Sequence, residues 1–212
     1  MSCPICQKRK AKRFCPAKGE NICSVCCGTE REVAIDCPSN CPHLIASRQY
    51  DWERKERIDW SQSPFPEAKV DRDLVASQAQ LVDALAFAIC LFARDNRPLV
   101  DSDVITAVKA LADTYRTLAS GIYYEKPPDY RLQHELYRNL QEAVNDFKKK
   151  QAPMGLTSVR DSEILDVLVL VAQLGYAHQN GRPKSRAFLD TLRRQFKRPE
   201  LEKHASSVLV LP

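Results

Sequence analysis

The chain changes character near its fortieth residue. From Asp71 onward apolar residues return every three or four positions, the spacing of a helix that buries one face, whereas the first 43 residues show no such period. Leu74, Leu81, Leu85, Ala88, Ile89 and Phe92 make a first stripe, which Arg97-Pro98 ends. A second helix is expected from Asp101-Ser102, whose side chains can accept from unpaired first-turn amides, through Val104, Ile105, Val108, Leu111, Tyr115 and Leu118 to Gly121. Pro127-Pro128-Asp129 opens a third, with Leu132, Leu136, Leu140, Val144 and Phe147 on one face and Lys148-Lys149-Lys150 at its negative C-terminal end. Ser158 and Asp161 form a candidate capping box before a fourth over Ile164 to Tyr176, closed by Asn180-Gly181; Phe188, Leu189, Leu192 and Phe196 mark a fifth.

Strand patterning is nearly absent and the connections are short. The expected architecture is therefore mainly α: a small amino-terminal module followed by an all-helical bundle of four to five helices. The chain divides into a module at 1–43, a connecting helix and proline-containing linker at 44–66, a bundle at 67–204 and an apolar tail at 205–212. In the connecting stretch Tyr50, Trp52 and Trp60 are placed to pack the module onto the bundle. The longest apolar run, the ten residues Ala84 to Ala93, falls short of the roughly 20 needed to cross a bilayer, so no membrane contact is expected. It reads as a buried helix, with Cys90, like Tyr115, in the core.

Cysteine distribution explains why the amino end needs no helical period. Eight of the nine cysteines lie between Cys3 and Cys41. The pairs Cys3-x2-Cys6 and Cys23-x2-Cys26 are separated by 16 residues, within the window of about 15 to 20 for two such pairs sharing one zinc ion. Cys15, Cys37, Cys41 and whichever of Cys26 or Cys27 is left supply a second tetrahedron, with His43 as a spare donor. Because Cys15 lies between the two pairs of the first site, the sites interleave as a cross-brace. A stretch this short cannot offset a backbone entropy of about 1–2 kcal/mol per residue by burial alone, whereas a structural zinc supplies on the order of 10–16 kcal/mol. Two structural Zn²⁺ ions are the expected cofactors. Disulfides and iron–sulfur ligation are the competing uses of the same cysteines. No secretory signal precedes Cys3, which favours a reducing, cytoplasmic setting and hence metal over disulfides.

The segment from Cys15-Pro16-Ala17 through Ile22-Cys23-Ser24-Val25-Cys26-Cys27, after the opening Cys3-x2-Cys6, resembles the HIT-type and MYND-type cross-brace fingers. The resemblance covers about residues 3–43. Lys18 stands where those families have a fourth cysteine, and Cys37-x3-Cys41 where they have a His-x3-Cys pair. Carried over by position, it implies that Cys3, Cys6, Cys23 and Cys27 share the first metal, with Cys26 replacing the donor lost at Lys18; spacing instead puts Cys26 in the first site. Those fingers are mostly protein-interaction modules.

Charge adds two clusters. The formal net charge is +5, but eight thiolates around two divalent ions carry four negative charges, which leaves the whole near neutral. Locally, Lys8, Arg9, Lys10, Lys12 and Arg13 lie between metal ligands, either as an anion or nucleic-acid contact or as solvated cations that offset the thiolate centres. The stretch from Arg182 to Lys203, with Arg193, Arg194, Lys197 and Arg198 at its heart, carries eight cations against three carboxylates and reads either as a site for an acidic partner or as the outer face of the fifth helix. The tail Val208 to Pro212 is placed to dock on its own domain or to add a strand to a partner.

Catalytic motifs are missing. His43, His134, His178 and His204 are scattered, and there is no Gly-rich phosphate loop, G-x-S-x-G or helical histidine pair. The expected function is a non-enzymatic protein-interaction adaptor or scaffold with a zinc-built head, its helical domain carrying or oligomerising that head. The alternative is a nucleic-acid binder that uses both basic clusters.

Overall fold

A computed structural model describes residues 1–54, 58–68, 73, 77–151 and 159–196. The chain is mainly helical, with a cysteine-rich module at its amino end, as the periodicity indicates. The module contains a hairpin of β1 (Arg13–Cys15) and β2 (Glu20–Ile22), antiparallel with Phe14 opposite Asn21. Gly19 closes the turn at a φ of 68°, in the left-handed region that glycine enters without a side-chain clash. A short helix, α1 (Ser24–Thr29), follows.

The helical body is built from α2 (Pro42–Glu53), α3 (Ala79–Asp95), α4 (Asp101–Ala119), α5 (Arg131–Gln151), α6 (Asp161–His178) and the short α7 (Ala187–Arg193). Helix α4 is central, packed most extensively on α6 and also on α5, while α5 packs on α3. The apolar stripes meet in one core that includes Leu85, Ile89, Leu111, Leu136, Leu140, Ile164 and Phe188, with Cys90 and Tyr115 buried in it. Gly175 lets α6 approach closely: a β-carbon there would stand 2.8 Å from Ile105 Cγ1. Gly121 ends α4 at a φ of 79°, and Ile122 N–H donates back to Thr117 O at 2.9 Å.

Several boundaries differ from the expected ones for identifiable reasons. Asp101 does not cap its own helix. It is buried and accepts from Phe188 N–H (3.2 Å), Leu189 N–H (3.1 Å) and the Ser185 hydroxyl (2.7 Å), which caps α7 across the fold. At α6, Ser158 of the expected capping box lies outside the described residues; Glu163 instead reaches back to Arg160 N–H at 2.9 Å. Leu74 of the first stripe and the whole 205–212 tail also lie outside them.

Aromatic packing does not by itself join module to body. Tyr50 and Trp52 are more than half exposed; Trp52 stacks on His178 with ring centroids 5.3 Å apart, and Trp60 leans on Tyr176. The main join is polar. Glu32, 1% exposed and with a φ of 53°, accepts from Arg48 Nη2 and from Asn180 Nδ2, both at 2.6 Å. Arg48 Nη1 reaches Asp190 at 2.6 Å, and Asp190 also accepts from the Ser39 hydroxyl at 2.7 Å. Arg182 donates to Gly28 O and Arg31 O, Lys184 to Ala34 O, and Arg186 pairs with Asp36.

This seam predicts unequal costs for two arginine deletions. Arg48→Ala leaves the Glu32 carboxylate buried without its cation and should destabilise the protein by about 3–5 kcal/mol. Arg131→Ala removes a solvent-exposed pair with Glu135 and should change stability by less than about 1 kcal/mol. Denaturant melts of both variants measure the difference.

Candidate metal centre

The module has few apolar side chains to bury. Its core is Ile22 and Ile35 surrounded by Cys3, Cys15, Cys23 and Cys26, with Cys6, Cys27 and Cys37 packed against them. Within it the sulfur atoms of Cys3, Cys6, Cys23 and Cys26 all lie within 4.8 Å of one another. Cys6 and Cys23 are 3.9 Å apart, against an edge of about 3.8 Å for a tetrahedron with metal–sulfur bonds of about 2.3 Å. That separation is far beyond a disulfide's bond length of about 2.05 Å, and all nine cysteines are free thiols. The donor set fits one metal ion that prefers soft ligands in a tetrahedron.

Local chain geometry places each donor. Cys3 and Cys6 lie on a turn in which Gln7 N–H donates to Cys3 O at 2.7 Å, and Gln7 takes a φ of 54°. Cys23 is the N-cap of α1, its sulfur accepting from Cys26 N–H at 3.3 Å. One helical turn then brings Cys26 beside Cys23, while Cys27 is rotated about 100° further around the axis. Cys27 lies outside the quartet, and its sulfur is 3.9 Å from Arg31 Nη2. The set is thus the one that spacing indicates, with Cys26, and not the one that the resemblance implies, with Cys27.

The electrostatics of the quartet call for a cation. The Cys6 thiol is pushed down to about 6, chiefly by a hydrogen bond from the Lys8 backbone and against the burial that opposes it. Cys3 is also lowered: burial raises it, but hydrogen bonds from the Cys23, Cys6 and Ile5 backbones outweigh that. Cys26 is pushed up to about 12 by burial and by the neighbouring sulfurs of Cys23, Cys6 and Cys3. Some thiolates are readily formed, and the last is resisted by those already present. A divalent ion at the centre removes that repulsion.

The remaining cysteines are less convergent. The Cys37 thiol is raised, first by burial and then by the charges of Cys41 and Cys15, which places the three within electrostatic reach. Together with Cys27 they do not form a second tight quartet among the described residues, and His43 joins none.

Of the cationic candidates, Lys8, Arg9, Lys10 and Lys12 are exposed and Arg13 is half-buried, all at the start of the hairpin. Arg193 turns inward, donating to Ala93 O at 3.0 Å, and Arg194 is exposed. Lys197 and Arg198 lie outside the described residues. Exposed Phe14 escaped the sequence reading, which found no aromatic residue interleaved in the run from Lys8 to Arg13 although Phe14 follows it directly.

No family model matches the chain, and no curated protein or solved structure shows significant similarity to it. Among the described residues, no helix is long and apolar enough to cross a membrane.

The two adjacent cysteines discriminate sharply. Cys26→Ser should lose one bound metal equivalent, whereas Cys27→Ser should retain metal in the Cys3, Cys6, Cys23 and Cys26 set; metal analysis by mass spectrometry reads both. Because Cys26 is still protonated at neutral pH, metal uptake must displace its proton, so apparent affinity should rise about tenfold per pH unit for each proton released. Competition with a chromophoric chelator between pH 6 and pH 8 measures that slope.

Proposed function

We propose that this chain is a non-enzymatic, zinc-dependent interaction protein of a reducing compartment, in which a metal-built head is fixed to a helical carrier. The observation that carries this reading is the quartet of Cys3, Cys6, Cys23 and Cys26. Four protein sulfurs fill a tetrahedral ion's coordination and leave no position for water or substrate, which is the arrangement of a structural ion. Zinc suits the site because it accepts four thiolates without preferring another geometry and holds them without redox chemistry.

A second zinc ion, on Cys15, Cys27, Cys37 and Cys41, completes the head in this proposal. The burial of Cys15 and Cys41 in the same module supports it, together with the effect of their charges on Cys37. The protein-contact surface is assigned to the connection between α4 and α5. There Ile122, Tyr123, Tyr124 and Tyr130 are 59–64% exposed, an amphipathic aromatic group of the kind enriched where proteins meet.

Metal counting and partner capture test the two halves separately. The wild type should carry two zinc ions per chain and Cys37→Ser one; a wild-type value well below one, with the fold intact, contradicts the metal half. Cross-linking and pull-down should recover a protein partner that Tyr123→Ala with Tyr124→Ala loses, while stability stays within about 0.5 kcal/mol of wild type. Retention of every partner by that double variant contradicts the surface assignment.

A further inference from the structure

The two basic clusters have opposite fates in the fold. In the carboxy-terminal one, Arg182, Lys184, Arg186 and Arg193 are occupied by backbone carbonyls or by Asp36 and Asp190, so they serve the seam. At the amino end, Lys8, Arg9, Lys10, Lys12, Arg13 and Lys18 make no side-chain hydrogen bond or ion pair with any described residue. Glu20 is the one carboxylate before Cys23. Six cations against one acid leave a surplus of five; the ion in Cys3, Cys6, Cys23 and Cys26 offsets two of it, and the second ion proposed above would offset two more. The stretch before Cys23 stays net positive with both ions counted against it, and its cations lie together in the hairpin and the turn before it.

An aromatic side chain stands among these cations. Phe14 is 58% exposed in β1, opposite Asn21. Hairpin pairing continues one step beyond the strand, since Lys12 N–H donates to Ile22 O at 3.0 Å. Lys12 and Phe14 are two residues apart in extended chain and share the solvent face, while Cys15 is directed into the module. The loop before them is held by the metal turn: Cys3 N–H donates to Arg9 O at 2.7 Å and Ala11 N–H to Met1 O at 3.2 Å. A rigid strand thus presents an aromatic face flanked by cations on both sides in sequence.

We propose that this hairpin face binds single-stranded nucleic acid, with Phe14 stacking on a base and Lys8, Arg9, Lys10, Lys12, Arg13 and Lys18 following the phosphates. Stacking is open to any unpaired base and closed to bases inside a duplex, so the surface favours single strands with little sequence preference. An acidic protein would use the cations but gain little from the exposed ring. The proposal goes beyond the protein-interaction reading and uses a different surface from the tyrosines between α4 and α5.

Fluorescence anisotropy of the zinc-loaded full-length protein with a labelled oligouridine of about 12 nucleotides tests this, at protein concentrations up to about 100 µM, the weak end of non-specific binding. With three to five phosphates contacted, affinity should fall about 10- to 200-fold between about 50 and 200 mM salt. Phe14→Ala should weaken binding about 5- to 100-fold at unchanged melting temperature. Replacing Lys8, Lys10 and Lys12 by Gln should flatten the logarithmic salt slope by about two, and a duplex of equal length should bind more weakly. Absence of binding at low salt overturns the proposal. So does binding that Phe14→Ala leaves unchanged, or polyglutamate binding as tightly as the oligonucleotide. The tyrosine double variant should bind the oligonucleotide as wild type does, which separates failure here from failure of the protein-contact assignment.

Discussion

Four sulfur atoms brought to within 4.8 Å of one another are the constraint on which the amino-terminal module depends. Ile22 and Ile35 are the two aliphatic side chains buried at its centre, and the rest of that buried apolar cluster is cysteine. Such a core cannot by itself offset the entropy of ordering some forty residues. The Cys26 thiol resists ionisation, first because it is buried and then because the sulfurs of Cys23, Cys6 and Cys3 oppose a further negative charge. An ion at the centre turns that mutual repulsion into attraction, and the hairpin, the Cys3 turn and the first turn of α1 are the three pieces it would hold together.

What the module builds is used at a distance. The stretch from Gly28 at the end of α1 to Ser39 beyond Cys37 meets the helical body. Glu32 is its centre: a buried carboxylate with a left-handed backbone, answered by Arg48 and Asn180. Burying such a charge is tolerable only while its partners are in place, so ordering of the loop and ordering of the seam support each other. The head is therefore presented in one orientation, with the hairpin face pointing to solvent on one side and the loop engaged on the other.

Legibility in the sequence followed the range of the interactions. Helices governed by local periodicity, such as α4 from Asp101 and its end at Gly121, could be read directly, because spacing and the glycine stop are near neighbours in the chain. The quartet was legible only down to a choice, since spacing pointed to Cys26 and the resemblance to Cys27; the first turn of α1, which sets Cys26 beside Cys23, decides it. The seam was not. Glu32 and Asn180 are 148 positions apart, and nothing around either residue signals the other. Arg182, Lys184 and Arg186 looked like a surface for an outside acid for the same reason: composition reveals a cation's presence but not the carbonyls that fold against it. Asp101 looked like a cap for the helix it begins, yet its carboxylate is satisfied by the start of α7, a choice that only tertiary packing makes.

Hydrogen–deuterium exchange of the reduced full-length protein, with and without a metal chelator, tests the central claim most directly. If metal organises the module and the module anchors the seam, chelation should abolish amide protection across β1, β2 and α1 and lower it around Asn180 to Asp190, while α4 and α5 keep theirs. Protection of the hairpin and α1 that is unchanged in a sample shown to be metal-free would contradict the account.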